Sequence, residues 1–548
     1  WWEVLEKSAE EQNGLAWPFM AHGTPYSPFY KASYFRFKWG GDGAEAKADI
    51  AHRYPYLNGN YGFKIQAEDL YFEPGLCYGK RTSNFSVQVM PSKHLFSFEG
   101  TAISTQGASV DAWVLLGLLN SKPVSYWLSL VCAQHKAYNY LQALPMPNKF
   151  DPALGLYALE GWSLMRSLNS VEETSNAFLL PELLQNRLFG FDRLRTENRL
   201  SGIKEAIDVI AFDLYGLSAE DQEIINRGND LYRAEDEDSD EDDDGPDEDV
   251  EQSSAIELLP SVYSWACGVA FGRFDWRLAT GERAAPAEPE PFDPLPAKSP
   301  GMLPDGAMPF HTHAGILVDD PGHPYDLARL TEEVLARVDV TVPDDVRRWL
   351  QRDFFPFHLQ RYSKSRRKAP IYWPLSTASG SYTLWVYYPS LSSQTLYTAI
   401  NDFVEPKLKQ VGADVTTLRN KGSARTRDDE KQFETLQAFE LELIELRDTL
   451  LKLAPSYKPN HDDGVQISAA PLWPLFRHKP WQKVLKDTWA KLEKGDYDWA
   501  HLAMNYWPER VREKCKTDKS LAIAHGLEHL YVEPEAAPKK TRGRKKGE

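Results

Sequence analysis

Cysteine is scarce in this chain of 548 residues, and long apolar runs are absent. Its four cysteines lie far apart with no CxxC pair, which argues against a disulfide framework or a zinc ribbon; they are Cys77, Cys132, Cys267 and Cys515. The apolar runs are too short and too interrupted to span a bilayer, and no charged-then-apolar leader follows Trp1. We therefore expect a soluble, cytoplasmic protein with no membrane partner. We also expect the chain to be a piece of a longer polypeptide.

Positive charge is in deficit overall, but most of the net charge of −17 comes from one segment. Residues 235–251 read EDEDSDEDDDGPDEDVE and hold thirteen acidic side chains, so the rest of the chain is close to neutral. Such a segment repels itself and has almost nothing apolar to bury, which predicts disorder. Outside this segment, the local concentration of positive charge therefore says more about possible anionic partners than the net charge does.

The predicted fold class is multidomain α+β, because 548 residues exceed one ordinary domain and strand-like and helical stretches alternate unevenly. The predicted units are a β-rich domain over 1–150, a helical spacer over 151–234, an acidic disordered linker over 235–255, a helix over 256–282, a Pro-rich linker over 283–323, a second α/β domain with a long helix over 324–456, a helical region over 457–535 and a basic disordered tail over 536–548.

Local signals place several helix ends. Asp111 is a typical N-cap for a helix that ends near Asn120, and Pro123 suits the first turn of the next helix. Gly216 is a plausible stop signal, and Ser218 is a plausible cap for the helix that follows.

A long amphipathic helix is predicted from about 428 to 453. Its apolar residues recur at alternating spacings of 3 and 4; they are Leu436, Phe439, Leu443, Leu446, Leu450 and Leu453. The seam is shorter than four heptads, so packing against its own domain and an intermolecular coiled coil both remain open.

The densest basic cluster precedes a pair of aromatic strands. Five of the eight residues over 361–368 are cationic, namely Arg361, Lys364, Arg366, Arg367 and Lys368. Residues 371–373 and 382–388 read as strands around a Ser/Thr/Gly turn at 376–381. A contiguous cationic run carries little geometric information, so these side chains suit phosphates better than bases. Stacking of Tyr372 or Trp373 on bases is the weaker interpretation, and a solvated basic loop remains an alternative.

A second candidate for contact with nucleic acid is the loop after the strand-like residues 74–79. It carries Lys80, Arg81, Ser83 and Asn84, and Arg and Asn can pair with guanine and adenine edges respectively. The alternative is a turn in which the short polar side chains bond their own backbone.

Three other constellations predict no site. His311, His313 and His323 lack a Cys or carboxylate at ligand spacing. The run 42–47, DGAEAK, is too compact for a strand-borne nuclease site and reads as a polar turn. Asp496, Asp498 and His501 read as a helix cap.

Three segments, in this order, carry a resemblance that spans nearly the whole chain. They are residues 74–103 with LLGLLNSKPVSYWL over 115–128, GVAFGRFDW over 268–276, and FFPFHLQRYSKSRRKAPIYWPLSTASGSYTLWVYY over 354–388. Together they resemble the C-terminal half of adenine-specific DNA methyltransferases of phage-defence systems, the PglX proteins of BREX systems, which are related to type IIG restriction-modification enzymes. The resemblance implies a target-recognition region that binds double-stranded DNA.

The same family implies a catalytic half that is missing here. That half should hold S-adenosylmethionine and an NPPY-type tetrapeptide that grips an adenine swung out of the helix. The chain has no such tetrapeptide, so we expect no complete Rossmann methyltransferase domain, no cofactor in this chain and no methylation by it alone. The expected partner is a catalytic domain on the same or a separate chain. The alternative function is a non-catalytic assembly subunit that docks onto other proteins of a defence system.

Overall fold

The computed structural model of the chain describes residues 1–5, 15–23, 26–82, 84–132, 135–235, 258–341, 345–364 and 367–533. The fold is mixed α+β, with many helices around small sheets. Within these ranges, no helix is both long enough and apolar enough to cross a bilayer. The predicted acidic linker beyond residue 235 and the predicted basic tail lie outside the described residues.

Eleven strands form four small sheets in the described ranges. They are β1 (Phe19–Ala21), β2 (Phe35–Arg36), β3 (Gly75–Gly79), β4 (Val87–Met90), β5 (His94–Phe96), β6 (Gly100–Ser104), β7 (Ile316–Asp319), β8 (Ser363–Lys364), β9 (Arg367–Lys368), β10 (Tyr372–Ser376) and β11 (Thr383–Tyr387). The strand orders are β2-β1-β5, β4-β3-β6, β10-β11-β7 and β8-β9. The β1–β5 pair is parallel and the other pairs are antiparallel.

Helices make up most of the remaining described structure. They are α1 (Gly40–Arg53), α2 (Ala112–Leu119), α3 (Lys122–Val131), α4 (Tyr138–Gln142), α5 (Ala153–Asn169), α6 (Glu182–Phe189), α7 (Arg193–Leu214), α8 (Ala219–Glu235), α9 (Leu258–Ala270), α10 (Arg277–Thr280), α11 (Leu327–Arg337), α12 (Val346–Arg352), α13 (Phe354–Arg361), α14 (Thr395–Thr398), α15 (Glu405–Asn420), α16 (Arg427–Leu453), α17 (Val465–Ala469), α18 (Lys479–Lys494), α19 (His501–Tyr506), α20 (Pro508–Cys515) and α21 (Lys519–Ala524).

The predicted helix ends are largely confirmed. Asp111 accepts hydrogen bonds from the backbone N–H of Trp113 and Val114, at 2.9 and 3.3 Å, and α2 begins directly after it. Pro123 lies in the first turn of α3, and the Ser218 hydroxyl accepts from the Asp221 N–H at 3.2 Å. The helix predicted over 256–282 is wrong in one respect. It stops at Ala270, because Gly272 adopts a left-handed φ of +74° and turns the chain.

The predicted aromatic hairpin is confirmed, and the structure adds a third strand to it. Strands β10 and β11 pair in register from Tyr372 opposite Tyr387 to Ser376 opposite Thr383. Strand β7 pairs with the other edge of β11, with Val318 opposite Leu384. This strand comes from the end of the Pro-rich segment over 283–323, where four residues were too few to give a strand signal.

Two large hydrophobic cores hold the sheets in place. The larger core joins parts of the chain that are far apart in sequence, including Trp1, Phe178, Trp265, Trp373 and Trp481. The second core packs strands β3 and β4 against helices α2, α5 and α7. Because the aromatic hairpin lies in the larger core, the basic residues next to it are attached directly to that core.

The long helix predicted from about 428 to 453 is confirmed as α16, which packs against the preceding α15. Thr426 and Asp429 form a capping box at its start. Leu443, Leu446 and Leu450 are at most 3% exposed and belong to the larger core. Contacts within this chain therefore bury half of the seam, while Leu436, Phe439 and Leu453 are partly buried against the same core. This packing agrees with the first of the two interpretations.

Candidate nucleic-acid interface

The basic cluster forms a two-stranded ribbon of its own, which we call the basic hairpin (residues 361–368). Strands β8 and β9 pair with Ser363 opposite Lys368 and Lys364 opposite Arg367. The two residues between the strands, Ser365 and Arg366, lie outside the described residues. The ribbon follows helix α13 directly and precedes β10, so the aromatic hairpin and the basic hairpin are consecutive.

Three cations of the basic hairpin have partners within the protein. The Arg367 Nε lies 2.8 Å from the Glu3 Oε2, although 60% of the Arg367 side chain stays exposed. The Lys364 Nζ lies 4.6 Å from the Tyr34 ring centroid. Arg361 donates to the Ser261 hydroxyl and lies 4.6 Å from the Phe357 ring centroid. These contacts are made by the charged groups themselves, and Arg367 stays exposed while Arg361 and Lys364 are half-buried.

Beneath the basic hairpin is a buried polar network centred on Glu173, which is 2% exposed. Its two carboxylate oxygens accept hydrogen bonds at 2.7 Å from the hydroxyls of Tyr362 and Ser264. Buried Arg273 lies with its guanidinium carbon 5.7 Å from the Tyr362 ring centroid, and against the effect of burial the charge of Glu173 contributes to raising the Arg273 pKa above its usual value. Arg273 and Tyr362 thus bring together two of the segments that carry the resemblance, 268–276 and 354–388.

His358 completes this network as a neutral acceptor. Its Nε2 accepts from the backbone N–H of Ile371 and Tyr372, at 2.8 and 3.2 Å. Burial lowers the pKa of His358 well below its usual value, and the charges of Arg273 and Arg361 lower it further. The neutral ring fixes the start of β10 against α13, so the basic hairpin between them has two rigid supports.

The aromatic residues next to the basic hairpin are unable to stack on bases. Tyr372 and Trp373 are both fully buried, and the Trp373 indole donates to the Pro370 carbonyl at 2.7 Å. Alternation along a strand predicts that at least one of the two is buried, and both are because helices cover the second face of this sheet as well. The stacking interpretation is therefore wrong for both rings.

The second candidate, the loop after β3, presents one exposed cation and one covered cation. Arg81 keeps 65% of its side chain exposed, with its Nε 3.4 Å from the Glu99 carboxylate. The Lys80 Nζ lies 3.0 Å from the Phe98 ring centroid, and desolvation lowers its pKa against the opposing effect of Glu99. Asn84 is half-buried, and Ser83 lies outside the described residues. The loop is held by a backbone hydrogen bond of 2.8 Å from Lys136 to Lys80.

The short strand β1 connects the two candidates. Its Phe19 end pairs with Arg36, which lines a small cavity of about 50 Å³ together with Lys364 and Arg367. At its other end Gly23 approaches Glu99, the partner of Arg81, so closely that a Cβ on Gly23 would lie 2.5 Å from the Glu99 carbonyl oxygen. Strand β1 thus leads from the surroundings of the basic hairpin towards those of the loop after β3.

Arg36 is a basic residue that the sequence reasoning did not single out. It donates to the Trp17 carbonyl at 2.7 Å, and its guanidinium carbon lies 4.0 Å from the Phe19 ring centroid. Burial lowers its pKa to about 10. The signal was its place in the alternating run SYFRFKW, where Arg36 interrupts a row of aromatic residues.

The histidines of 311–323, the run 42–47 and the acidic residues near His501 have structural roles. Within the described ranges, no three metal-ligating side chains come together, and His313 contacts the Ala270 carbonyl. The polar turn predicted over 42–47 is only partly confirmed, because Gly41, Asp42 and Gly43 have left-handed backbone angles but residues 44–47 are helical and belong to α1. Lys47 lies 3.0 Å from the Asp42 carboxylate.

The predicted cap by Asp498 is wrong. Helix α19 is capped by buried Asp463, which accepts from the backbone N–H of His501 and Leu502 at 2.7 and 2.8 Å. Asp498 instead pairs with Arg510 and Lys514, at 2.6 and 2.7 Å. The capping residue is 38 positions from the helix it caps, so no local pattern identifies it.

No protein-family model matches this chain, and no curated protein matches it significantly.

Proposed function

We propose that this chain recognises and holds double-stranded DNA as the C-terminal specificity part of an adenine-N6 DNA methyltransferase in a phage-defence system, either BREX-like or of the restriction-modification type. The observation that carries the proposal is the basic hairpin. It concentrates cations at the surface, and the network around Glu173 and His358 anchors it on both sides. A rigidly supported set of cations holds a phosphate backbone without a large loss of conformational entropy.

The two cationic groups have different roles in this proposal. The basic hairpin contacts phosphates through its five cations, Arg361, Lys364, Arg366, Arg367 and Lys368. The loop after β3 reads base edges through Arg81 and Asn84, with Lys80 and Ser83 on neighbouring phosphates. Strand β1 leads from one group towards the other, and we expect one duplex to contact both at the same time.

Catalysis belongs to a partner in this proposal. A catalytic domain, on the same polypeptide or on a separate chain, supplies S-adenosylmethionine and the residues that flip and methylate adenine. This chain binds no cofactor and positions the duplex for the catalytic domain. Other proteins of the defence system are further candidate partners.

Binding of the chain to a randomised duplex library, at about 50 mM and about 200 mM salt, tests the proposal. We expect salt-dependent retention and enrichment of a short motif that contains adenine. Retention without a motif would leave only phosphate contacts and would contradict the specificity role. Retention no greater than that of an acidic control protein would contradict DNA binding altogether.

A second candidate function, the assembly subunit, is favoured by an apolar groove of about 370 Å³ between α3 and α8. Leu130 and Ile224 line it and are 61% and 51% exposed. Exposed apolar side chains around a concave surface are typical of protein docking sites. Leu130→Asp with Ile224→Asp should then abolish association of this chain with other proteins of the defence system, which co-purification measures. An intact complex would contradict this function.

A further inference from the structure

Helix α18 carries a stripe of lysines that the proposed function does not use. Lys479, Lys483 and Lys486 are all exposed, and their spacings of 4 and 3 place them on one face of the helix. The opposite face is buried, with Trp481 and Leu485 fully covered. The burial of one face therefore fixes the direction in which the lysines point.

These lysines are largely uncompensated by acidic side chains. Within the part of the chain that the structure describes, Lys479 and Lys483 have no carboxylate within 4.0 Å. The Lys486 Nζ lies 5.3 Å from the Trp473 ring centroid, a contact that leaves its charge unneutralised. A row of unpaired like charges is repulsive, and a polyanion relieves that repulsion.

The stripe begins next to the elements that flank the basic hairpin, namely β10 and α13. Arg477, two residues before Lys479, donates to the carbonyls of Ser376 and Thr377 at 2.7 Å each and so ties the start of α18 to the end of β10. The His478 ring centroid lies 5.6 Å from that of Phe355, on the helix that leads into the basic hairpin. Burial lowers the pKa of His478, and the charge of Lys368 in the basic hairpin lowers it further.

We propose that Lys479, Lys483 and Lys486 form a second phosphate-contacting edge that extends the basic hairpin along the DNA backbone. This inference rests on the proposed function and adds a site to it. The three lysines span about 10 Å of helix, enough to reach about two or three phosphates. They contact no bases, so they strengthen binding to every sequence alike.

The test is the triple variant Lys479→Gln, Lys483→Gln and Lys486→Gln. Glutamine has nearly the helix propensity of lysine, so α18 should be retained, which far-UV circular dichroism checks. We expect the salt slope of duplex binding to fall by about 2 to 3. Wild-type affinity should then drop about 15- to 60-fold more than the variant's between about 50 mM and about 200 mM salt, with the same preferred motif.

The matched control removes the same charge from α15 and α16. It is the triple variant Lys409→Gln, Lys431→Gln and Lys452→Gln, whose side chains are also exposed. We expect this control to bind like the wild type. An equal loss in both variants would mean a general charge effect and would overturn the inference. Wild-type behaviour of the α18 variant would overturn it too, without affecting the proposed function. Absence of duplex binding by the wild type would overturn both.

Discussion

Arg367 of the basic hairpin is paired with Glu3, 364 positions earlier in the chain, at an Nε–Oε2 distance of 2.8 Å. The other Glu3 oxygen accepts from the backbone N–H of Val465 at 2.9 Å. Glu3 is 13% exposed as a side chain, so one largely buried carboxylate joins the basic hairpin to the start of α17. It also neutralises part of the charge that would otherwise face a polyanion.

Replacing Glu3 by Gln should therefore strengthen DNA binding. Glutamine keeps an oxygen that accepts from Val465, but it releases the full charge of Arg367. The salt slope of duplex binding should rise by about 1, and affinity at low salt should increase several-fold. Fluorescence anisotropy with a labelled duplex measures both. Glu434→Gln, at an exposed position on α16, is the control for net charge. An equal gain in the control would contradict a local effect at Arg367.

The two cationic groups should differ in how they affect specificity. Arg366→Ala with Arg367→Ala should weaken binding to all sequences similarly and flatten the salt slope by about 2, because phosphate contacts carry no sequence information. Lys80→Ala with Arg81→Ala should instead change the enriched motif. Sequencing of duplexes retained by each variant measures this. A changed motif in the basic-hairpin variant would mean that its residues had been assigned the wrong role.

Local signals predicted the parts of the fold that depend on neighbouring residues. The cap at Asp111, the stop at Gly216, the aromatic hairpin and the helix ending at Leu453 all follow from patterns a few residues long. The cationic composition of the basic hairpin was also evident in the sequence, because composition is read directly from the order of residues. These features are dictated by backbone sterics and by the periodicity of apolar side chains.

Features that depend on distant residues were not predictable in this way. The pairing of Arg367 with Glu3 and the burial of Tyr372 depend on which helices pack over the sheet. The same holds for the capping of α19 by Asp463 and for the parallel pairing of β1 with β5. A single sequence offers no pattern that links such positions, so the second partner of each contact stays hidden until the fold is known.

The stability of the chain should fall as the pH drops from about 6.5 to about 4, in part because of His94. His94 is 1% exposed, stacks on Phe19 at 5.4 Å between centroids and contacts the Ser33 hydroxyl at 2.9 Å. Burial lowers its pKa from 6.5 to about 4. Between these values the unfolded chain binds a proton that the folded chain does not, so the free energy of unfolding decreases by about 3 kcal/mol over this window.

Urea unfolding at about pH 7.5 and at about pH 4.5 measures this contribution. Carboxylates also titrate in this range, so the comparison is between the wild type and His94→Gln, which has no titrating group at the position. The variant should lose less stability than the wild type on acidification. His529→Gln, at an exposed position, should behave like the wild type. An unchanged pH dependence in His94→Gln would mean that His94 titrates normally in the folded chain.

The apolar seam of α16 should stabilise the single chain. Leu446 is 3% exposed, whereas Leu441, five residues earlier on the same helix, is 68% exposed. Leu446→Ala should lower the free energy of unfolding by about 2 to 5 kcal/mol because it leaves a cavity. Leu441→Ala should change it by less than about 0.5 kcal/mol. Thermal unfolding at several protein concentrations completes the test. A midpoint that rises with concentration would indicate that the seam joins two chains, since only association makes stability depend on concentration.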